Sequence, residues 1–169
     1  PEKNHFTACI SSQVGCAQKC SFCHTAKAGF IRNLTPAEII GQVRDLKEYA
    51  AHLEDTDLSL TNLVMMGMGE PLANYKNVIK ALEVITDSDF GLKFSSRKLT
   101  LSTCGLIPKI ADLAEDTNVS LAVSLNATEN KTRDKLMPIN KTYPIEELIE
   151  ACKKFPLQGT RKITFEYIL

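Results

Sequence analysis

The chain alternates between short apolar runs that fit β-strands and longer stretches with helical spacing. The predicted strands cover residues 6–12, 58–66, 97–103, 119–126 and 162–169, and the predicted helices cover residues 35–53, 74–86, 108–115 and 145–155. Residues 13–34 are predicted to form a long loop. Strands that alternate with helices in this way predict βαβ units and a parallel sheet.

The start of the helix at residues 35–53 carries three signals. Thr35 is a suitable N-cap, Pro36 follows at the first helical position, and Glu38 completes a capping box. This helix therefore has the best-defined beginning of the predicted elements.

Several predicted strands have one apolar and one polar face. The faces of residues 97–103 consist of Lys98, Thr100 and Ser102 on one side and Leu99, Leu101 and Thr103 on the other. The same alternation recurs in residues 119–126 and 162–169, with Thr164 and Glu166 on the polar side of the latter. A barrel with outer helices and a lumen that holds a polar ligand explains this pattern. The predicted fold is therefore α/β, a partial TIM-like (β/α) barrel of about five parallel strands, with chemistry at their C-terminal ends.

Length and composition fit one domain, residues 1–169. Twenty basic residues balance 20 acidic ones, so composition does not support nucleic-acid binding. No apolar run approaches the roughly 20 residues of a membrane helix, and we find no secretory leader. We expect a cytoplasmic protein without a membrane partner, and the start at Pro1 indicates an excised segment.

Three of the six cysteines form a C-x3-C-x2-C motif, Cys16, Cys20 and Cys23, with Phe22 before the last. Structural zinc sites have four closed ligands, usually in two pairs. Three thiolates on a four-iron cluster leave one iron open. The spacing and the aromatic residue resemble those of the radical S-adenosylmethionine (SAM) superfamily, in which SAM binds that iron. A zinc site with His24 as fourth ligand is the alternative.

The resemblance narrows to the RlmN/Cfr family of RNA adenosine methyltransferases. The matching segments are CISSQVGC at residues 9–16, RNLT at 32–35, IIGQV at 39–43, MGMGEPL at 66–72, STCG at 102–105 and MPIN at 137–140. They span nearly the whole chain in the family's order.

This resemblance implies the cofactors and the residues that bind them. A 4Fe–4S cluster would be held by Cys16, Cys20 and Cys23. The implied SAM contacts are Gly69, Glu70, Ser102, Ser124, Leu125 and Asn126, although many family members have histidine at the position of Asn126. A family cysteine that helps to remove the adenine proton, and to resolve a protein–RNA crosslink through a disulfide, is matched by Cys9.

The implied reaction is methylation of C2 of an adenosine in 23S rRNA, with tRNA as a second candidate substrate and flavodoxin or ferredoxin as the electron donor. Methylation at C8, as in Cfr-type enzymes, and a non-catalytic iron–sulfur or zinc module are the alternatives. The family's methyl-carrying cysteine and RNA-binding domain have no match in this chain, and its barrel has a sixth strand. We therefore expect this chain to bind cluster and SAM without methylating RNA, and its sheet to end before the last strand.

Overall fold

A computed structural model describes residues 4–52, 58–157, 159 and 161–168 of the chain. In chain order the elements are β1 (Asn4–Cys9), β2 (Gln13–Gly15), α1 (His24–Lys27), β3 (Phe30–Asn33), α2 (Pro36–Ala51), β4 (Leu58–Met65), α3 (Tyr75–Thr86), β5 (Leu99–Thr103), α4 (Ile107–Asp116), β6 (Ser120–Ser124), α5 (Asn130–Leu136), α6 (Ile145–Lys154) and β7 (Ile163–Glu166). Short 3-10 turns precede α3, β5 and α6.

The main sheet has five strands in the order β1-β4-β5-β6-β7, and every neighbouring pair is parallel. The predicted α/β architecture with five parallel strands is therefore confirmed. Each strand continues the sheet in chain order, as in an incomplete barrel.

The alternation of faces is as predicted in β5. Leu99, Leu101 and Thr103 of β5 are buried, whereas Thr100 and Ser102 are only half-buried. The buried face packs against the apolar residues of α2, α3, α4 and α6. The opposite face of the sheet carries the small and polar side chains, so it is available to line a site.

The prediction of a loop over residues 13–34 was wrong. This segment contains β2 and β3, which form an antiparallel pair, and the short helix α1. The hydrogen bond from Cys16 N to Gly29 O (3.0 Å) extends this pairing. Gly15 makes the close approach possible, because a Cβ at this position would lie 1.8 Å from Gly29 O.

Some element boundaries also differ from the predictions. The first strand ends at Cys9, because the Ser11 amide donates to the Gln42 side chain (2.8 Å) instead of continuing the sheet. Helix α5 was not predicted, since Leu136 is its one apolar residue and the segment lacks an apolar period. The predicted ends of a helix at Leu53 and of a strand at Leu169 lie outside the described residues.

Within the described residues, we find no helix with the length and apolar character to span a membrane.

The capping box of α2 gives a test of the fold. The Thr35 hydroxyl accepts from Glu38 N (3.3 Å), and Glu38 Oε2 accepts from Thr35 N (2.8 Å). We expect Thr35→Ala to lower the free energy of unfolding by about 1 kcal/mol, because the Glu38 amide loses the hydroxyl that accepts its hydrogen bond. Urea denaturation measures this, with Thr35→Ser as the matched control that keeps the hydroxyl. Equal stabilities of the two variants would contradict the role of the cap.

Candidate functional site

A cleft of about 230 Å³ lies at the C-terminal ends of the strands. Its lining residues are Cys16, Gln18, Cys20, Phe22, Cys23, Met65, Met66, Gly67, Gly69, Glu70, Ser102, Thr103, Cys104, Ser124, Met137 and Glu166. The structure thus brings together the three motif cysteines and four of the six residues implied as SAM contacts. This position is where βα barrels place their chemistry.

The cysteine loop is shaped by its backbone. Lys19 has a left-handed φ of 57°, and Cys23 N donates to Cys20 O (3.1 Å), which closes a turn between these two ligand candidates. Ser21 N donates to Leu136 O (2.8 Å), which attaches the loop to the end of α5. The tight turn explains how the three thiols face one cleft.

Burial and neighbouring thiols raise the pKa values of two of the motif cysteines. Burial raises the pKa of Cys16, and burial together with the neighbouring Cys16 and Cys23 raises the pKa of Cys20 to about 11. Bound iron would reverse this effect, because metal ligation requires thiolates and releases their protons. The set of three thiols therefore fits an iron–sulfur cluster with one open iron.

The zinc alternative gains no support from His24. This residue begins α1, is exposed, and is not part of the cleft lining. In the part of the chain that is described, no three His, Cys, Asp or Glu side chains are already grouped around a single-ion position.

The glycines of the loop after β4 are required by the packing of the chain. A Cβ at Gly67 would lie 2.6 Å from Ser11 Oγ, and one at Gly69 would lie 2.5 Å from Gln13 Cβ. Gly69 also has φ of +103°, which disfavours other residues. The segment after β1 therefore packs directly on this loop, and so the loop's position is coupled to that of the cysteines.

The Glu70 side chain is buried, and its carboxylate is the centre of a hydrogen-bond network. Oε1 accepts from Thr103 Oγ1 (2.8 Å) and Leu72 N (3.0 Å), and Oε2 accepts from Cys104 N (2.8 Å). The Glu70 amide itself donates to Gln13 Oε1 (2.8 Å). Burial raises the pKa of Glu70, and the hydrogen bonds counteract this shift. Glu70 lines the cleft, but its main contacts join β5 to the loop after β4.

Ser102 and Ser124 share a partner that the sequence analysis did not identify as a site residue. Both hydroxyls donate to Glu166 Oε2, at 3.0 Å and 2.8 Å. Glu166 lies on the polar face predicted for the last strand, and the alternation of that strand was the signal that could have identified it.

Arg133 is a second residue that was missed. It is fully buried, and its guanidinium donates to Cys104 O (2.8 Å), Ser124 O (3.0 Å), Leu125 O (3.0 Å) and Asn140 Oδ1 (3.0 Å). It therefore joins the ends of β5 and β6. No sequence signal pointed to it, because an arginine in a polar helix is usually exposed.

The other predicted site residues lie near the cleft but outside its lining. Leu125 and Asn126 follow β6, and Asn126 is buried with a left-handed φ of 57°. Cys9 is exposed and pairs in register with Val64, which in turn pairs with Thr100. Since paired residues share a face, Cys9 lies on the polar side of the sheet.

All six thiols are free, so the structure does not support the disulfide that the resemblance implied.

The Glu70 network gives a prediction about stability. Glu70→Gln replaces one acceptor oxygen by an NH2 group that faces a backbone N–H donor, either Leu72 N or Cys104 N. We expect a loss of about 1–3 kcal/mol in the free energy of unfolding, the penalty for buried unpaired groups. Urea denaturation measures it, with exposed Glu83→Gln as the control. A change within about 0.5 kcal/mol, typical of surface substitutions, would contradict the network's importance.

Known proteins resemble this chain along its whole length. A sequence model of the radical SAM superfamily matches residues 10–169. The chain is 65% identical over 169 residues to the "Dual-specificity RNA methyltransferase RlmN" of Desulfosudis oleivorans and 52% identical to that of Syntrophus aciditrophicus. Both matches cover 100% of this chain but only 44% and 47% of the relatives, so the chain spans about half their length.

A solved structure agrees with the fold. The crystal structure of a radical SAM methyltransferase from Sphaerobacter thermophilus superimposes with a TM-score of 0.89 at 44% identity. The superposition covers 96% of this chain and 47% of that one. With the superfamily match over residues 10–169, these observations show that the chain belongs to the radical SAM superfamily.

Proposed function

We propose that this chain binds a 4Fe–4S cluster and SAM as the core of an RNA adenine methyltransferase. One observation carries the proposal: Cys16, Cys20 and Cys23 line the same cleft as Gly69, Glu70, Ser102 and Ser124. A ligand of SAM's size needs contacts from several strand ends at once, and this cleft offers them beside the thiols.

The protein's part in this chemistry is to hold and position. Cys16, Cys20 and Cys23 would hold three irons of the cluster as thiolates, and the fourth iron would stay open to SAM. When bound, the cluster supplies the electron that cleaves SAM reductively. The backbone around Gly69 and the serines at the strand ends orient SAM. Leu125 and Asn126 contribute by shaping the end of β6.

We propose C2 of adenosine in 23S rRNA as the target, with tRNA as a second substrate and flavodoxin or ferredoxin as the electron donor. The relatives named RlmN support an RNA substrate, since their names describe dual-specificity RNA methyltransferases. Cys9 is the proposed catalytic thiol, because it is exposed on the polar face of the sheet. The alternative enzymatic function is methylation at C8 of adenosine. The alternative without catalysis is a metal-binding module.

Cluster binding is tested by reconstituting the chain with iron and sulfide under anaerobic conditions. We expect absorbance at about 400 nm and close to four irons per chain. Cys20→Ala should lose most of this iron, because a thiolate ligand is removed. Cys152→Ala is the matched control, since Cys152 is buried in α6 away from the cleft. Equal iron content in both variants would refute the ligand assignment, and stoichiometric zinc in place of iron would favour the metal-binding module.

RNA methylation is tested in a chimera in which this chain replaces the aligned 169 residues of the Desulfosudis oleivorans relative. In a host that lacks its own enzyme, we expect the chimera to restore 2-methyladenosine in 23S rRNA, measured by mass spectrometry of nucleosides. Cys9→Ala should reduce the product by about 100-fold or more, as expected of a general acid–base or covalent participant, whereas Cys152→Ala should retain it. Appearance of 8-methyladenosine would instead support the C8 reading.

A further inference from the structure

Arg133 carries a buried positive charge that forms no ion pair within the described part of the chain. Its guanidinium donates to three carbonyl oxygens and one side-chain amide oxygen, those of Cys104, Ser124, Leu125 and Asn140. All four acceptors are neutral. They occupy most of the N–H groups of the guanidinium, but they leave its net charge in place. Because arginine stays protonated in proteins, this charge is permanent.

The two carboxylates next to this network are engaged by other donors. Glu70 accepts from the amide of Cys104 (2.8 Å), whereas Arg133 binds the carbonyl of the same residue. Burial raises the pKa of Glu70, which makes it a weak counter-charge. Asp134, the next residue in α5, accepts from Asn140 Nδ2 (2.6 Å). Since a buried charge is costly unless it is paired, an anionic group bound near Arg133 would be stabilised.

The guanidinium lies beside the cleft that contains the motif cysteines. Cys104, whose carbonyl it binds, is part of the same lining as the three thiols. The helix that carries Arg133 also holds the cysteine loop, because Ser21 N donates to Leu136 O at the end of α5 (2.8 Å). Burial raises the pKa of the Cys20 thiol to about 11, and the guanidinium counteracts part of this shift. The charge of Arg133 therefore acts on the site of the thiols.

The group that these thiols would hold has the opposite charge. Three thiolates outweigh the positive charge of an oxidised four-iron core, so the bound cluster is anionic, and each added electron makes it more negative. A fixed cation nearby stabilises the reduced form more than the oxidised form, because the attraction grows with the negative charge. Net charge and hydrogen bonds around a cluster are among the factors that set its reduction potential.

We propose that Arg133 provides the counter-charge for the cluster and raises its reduction potential. The inference rests on the proposed cluster binding and explains how the protein favours the reduced state, which is the state that cleaves SAM. Arg133 is a positioning residue in this role, because it is not part of the cleft lining. Its neutral acceptors hold the charge in one place without cancelling it.

A redox titration of the reconstituted chain without SAM, followed by electron paramagnetic resonance, tests this role. Arg133→Met removes the charge and should lower the midpoint potential by about 59 mV, which is a tenfold shift in the reduction equilibrium of a one-electron couple. Arg133→Lys keeps the charge and should retain most of the wild-type potential. Lys80→Met removes an exposed charge on α3 and is the matched control, with an unchanged potential expected.

A second variant tests the same charge if Arg133→Met does not fold. Asp134→Asn combined with Asn140→Asp exchanges a carboxylate and an amide that already share a hydrogen bond (2.6 Å), so the net charge of the chain is unchanged. The exchange turns one neutral acceptor of Arg133 (3.0 Å) into a carboxylate. It should lower the potential as Arg133→Met does, because the guanidinium is then paired. Loss of iron from both variants, with iron retained in Arg133→Lys, would show that cluster binding itself requires the counter-charge.

Three results would overturn the inference. Equal potentials in wild-type and Arg133→Met chains that hold the same amount of iron would show that the charge has no influence on the cluster. An equal fall in Arg133→Lys and Arg133→Met would show that the hydrogen bonds matter and the charge does not. A difference that arises only after SAM is added would assign the guanidinium to the carboxylate of the ligand. A wild-type chain that takes up no iron would instead refute the proposed function.

Discussion

The site depends on two buried ionisable side chains, Glu70 and Arg133, whose hydrogen bonds meet at one residue, Cys104. Cys104 donates its amide to the Glu70 carboxylate (2.8 Å), and its carbonyl accepts from the Arg133 guanidinium (2.8 Å). Buried charges are strongly unfavourable unless they are hydrogen-bonded, and here the end of β5 provides partners for both. Each charge also binds a second strand end or loop, so the loops after β4, β5 and β6 are fixed relative to one another. Neither charge requires a bound ligand for its stabilisation.

The cysteine loop is connected to this arrangement at both of its ends. At its start, Gln13 accepts from the Glu70 amide (2.8 Å), and the Gln13 side chain lies too close to Gly69 for any other residue there. At its other end, Ser21 N donates to the end of α5, the helix that also supplies Arg133. The positions of the thiols and of the strand ends therefore depend on each other through these contacts. A cluster bound by the three cysteines would find its neighbouring SAM contacts already placed, which lowers the cost of ordering them.

The sequence predicted the elements whose signals are local and periodic. The capping box at Thr35, the alternation in β5 and the order of strands and helices each depend on neighbouring residues, and each is present in the structure. The β2–β3 pair and α5 were missed because short, polar segments lack an apolar period. Arg133 and Glu166 were missed for another reason. Their roles depend on contacts between residues up to 64 positions apart, and the alternation that places Glu166 on a polar face does not encode its serine partners.

The cleft lining combines two groups of side chains with different chemistry. Burial and the neighbouring thiols raise the pKa values of Cys16 and Cys20, and ligation of a metal would instead require their thiolates. The ends of β5, β6 and β7 present the Glu166 carboxylate and two serine hydroxyls that donate their protons to it. A ligand that enters this cleft therefore meets sulfur ligands for a metal and oxygen acceptors for hydrogen bonds within one lining.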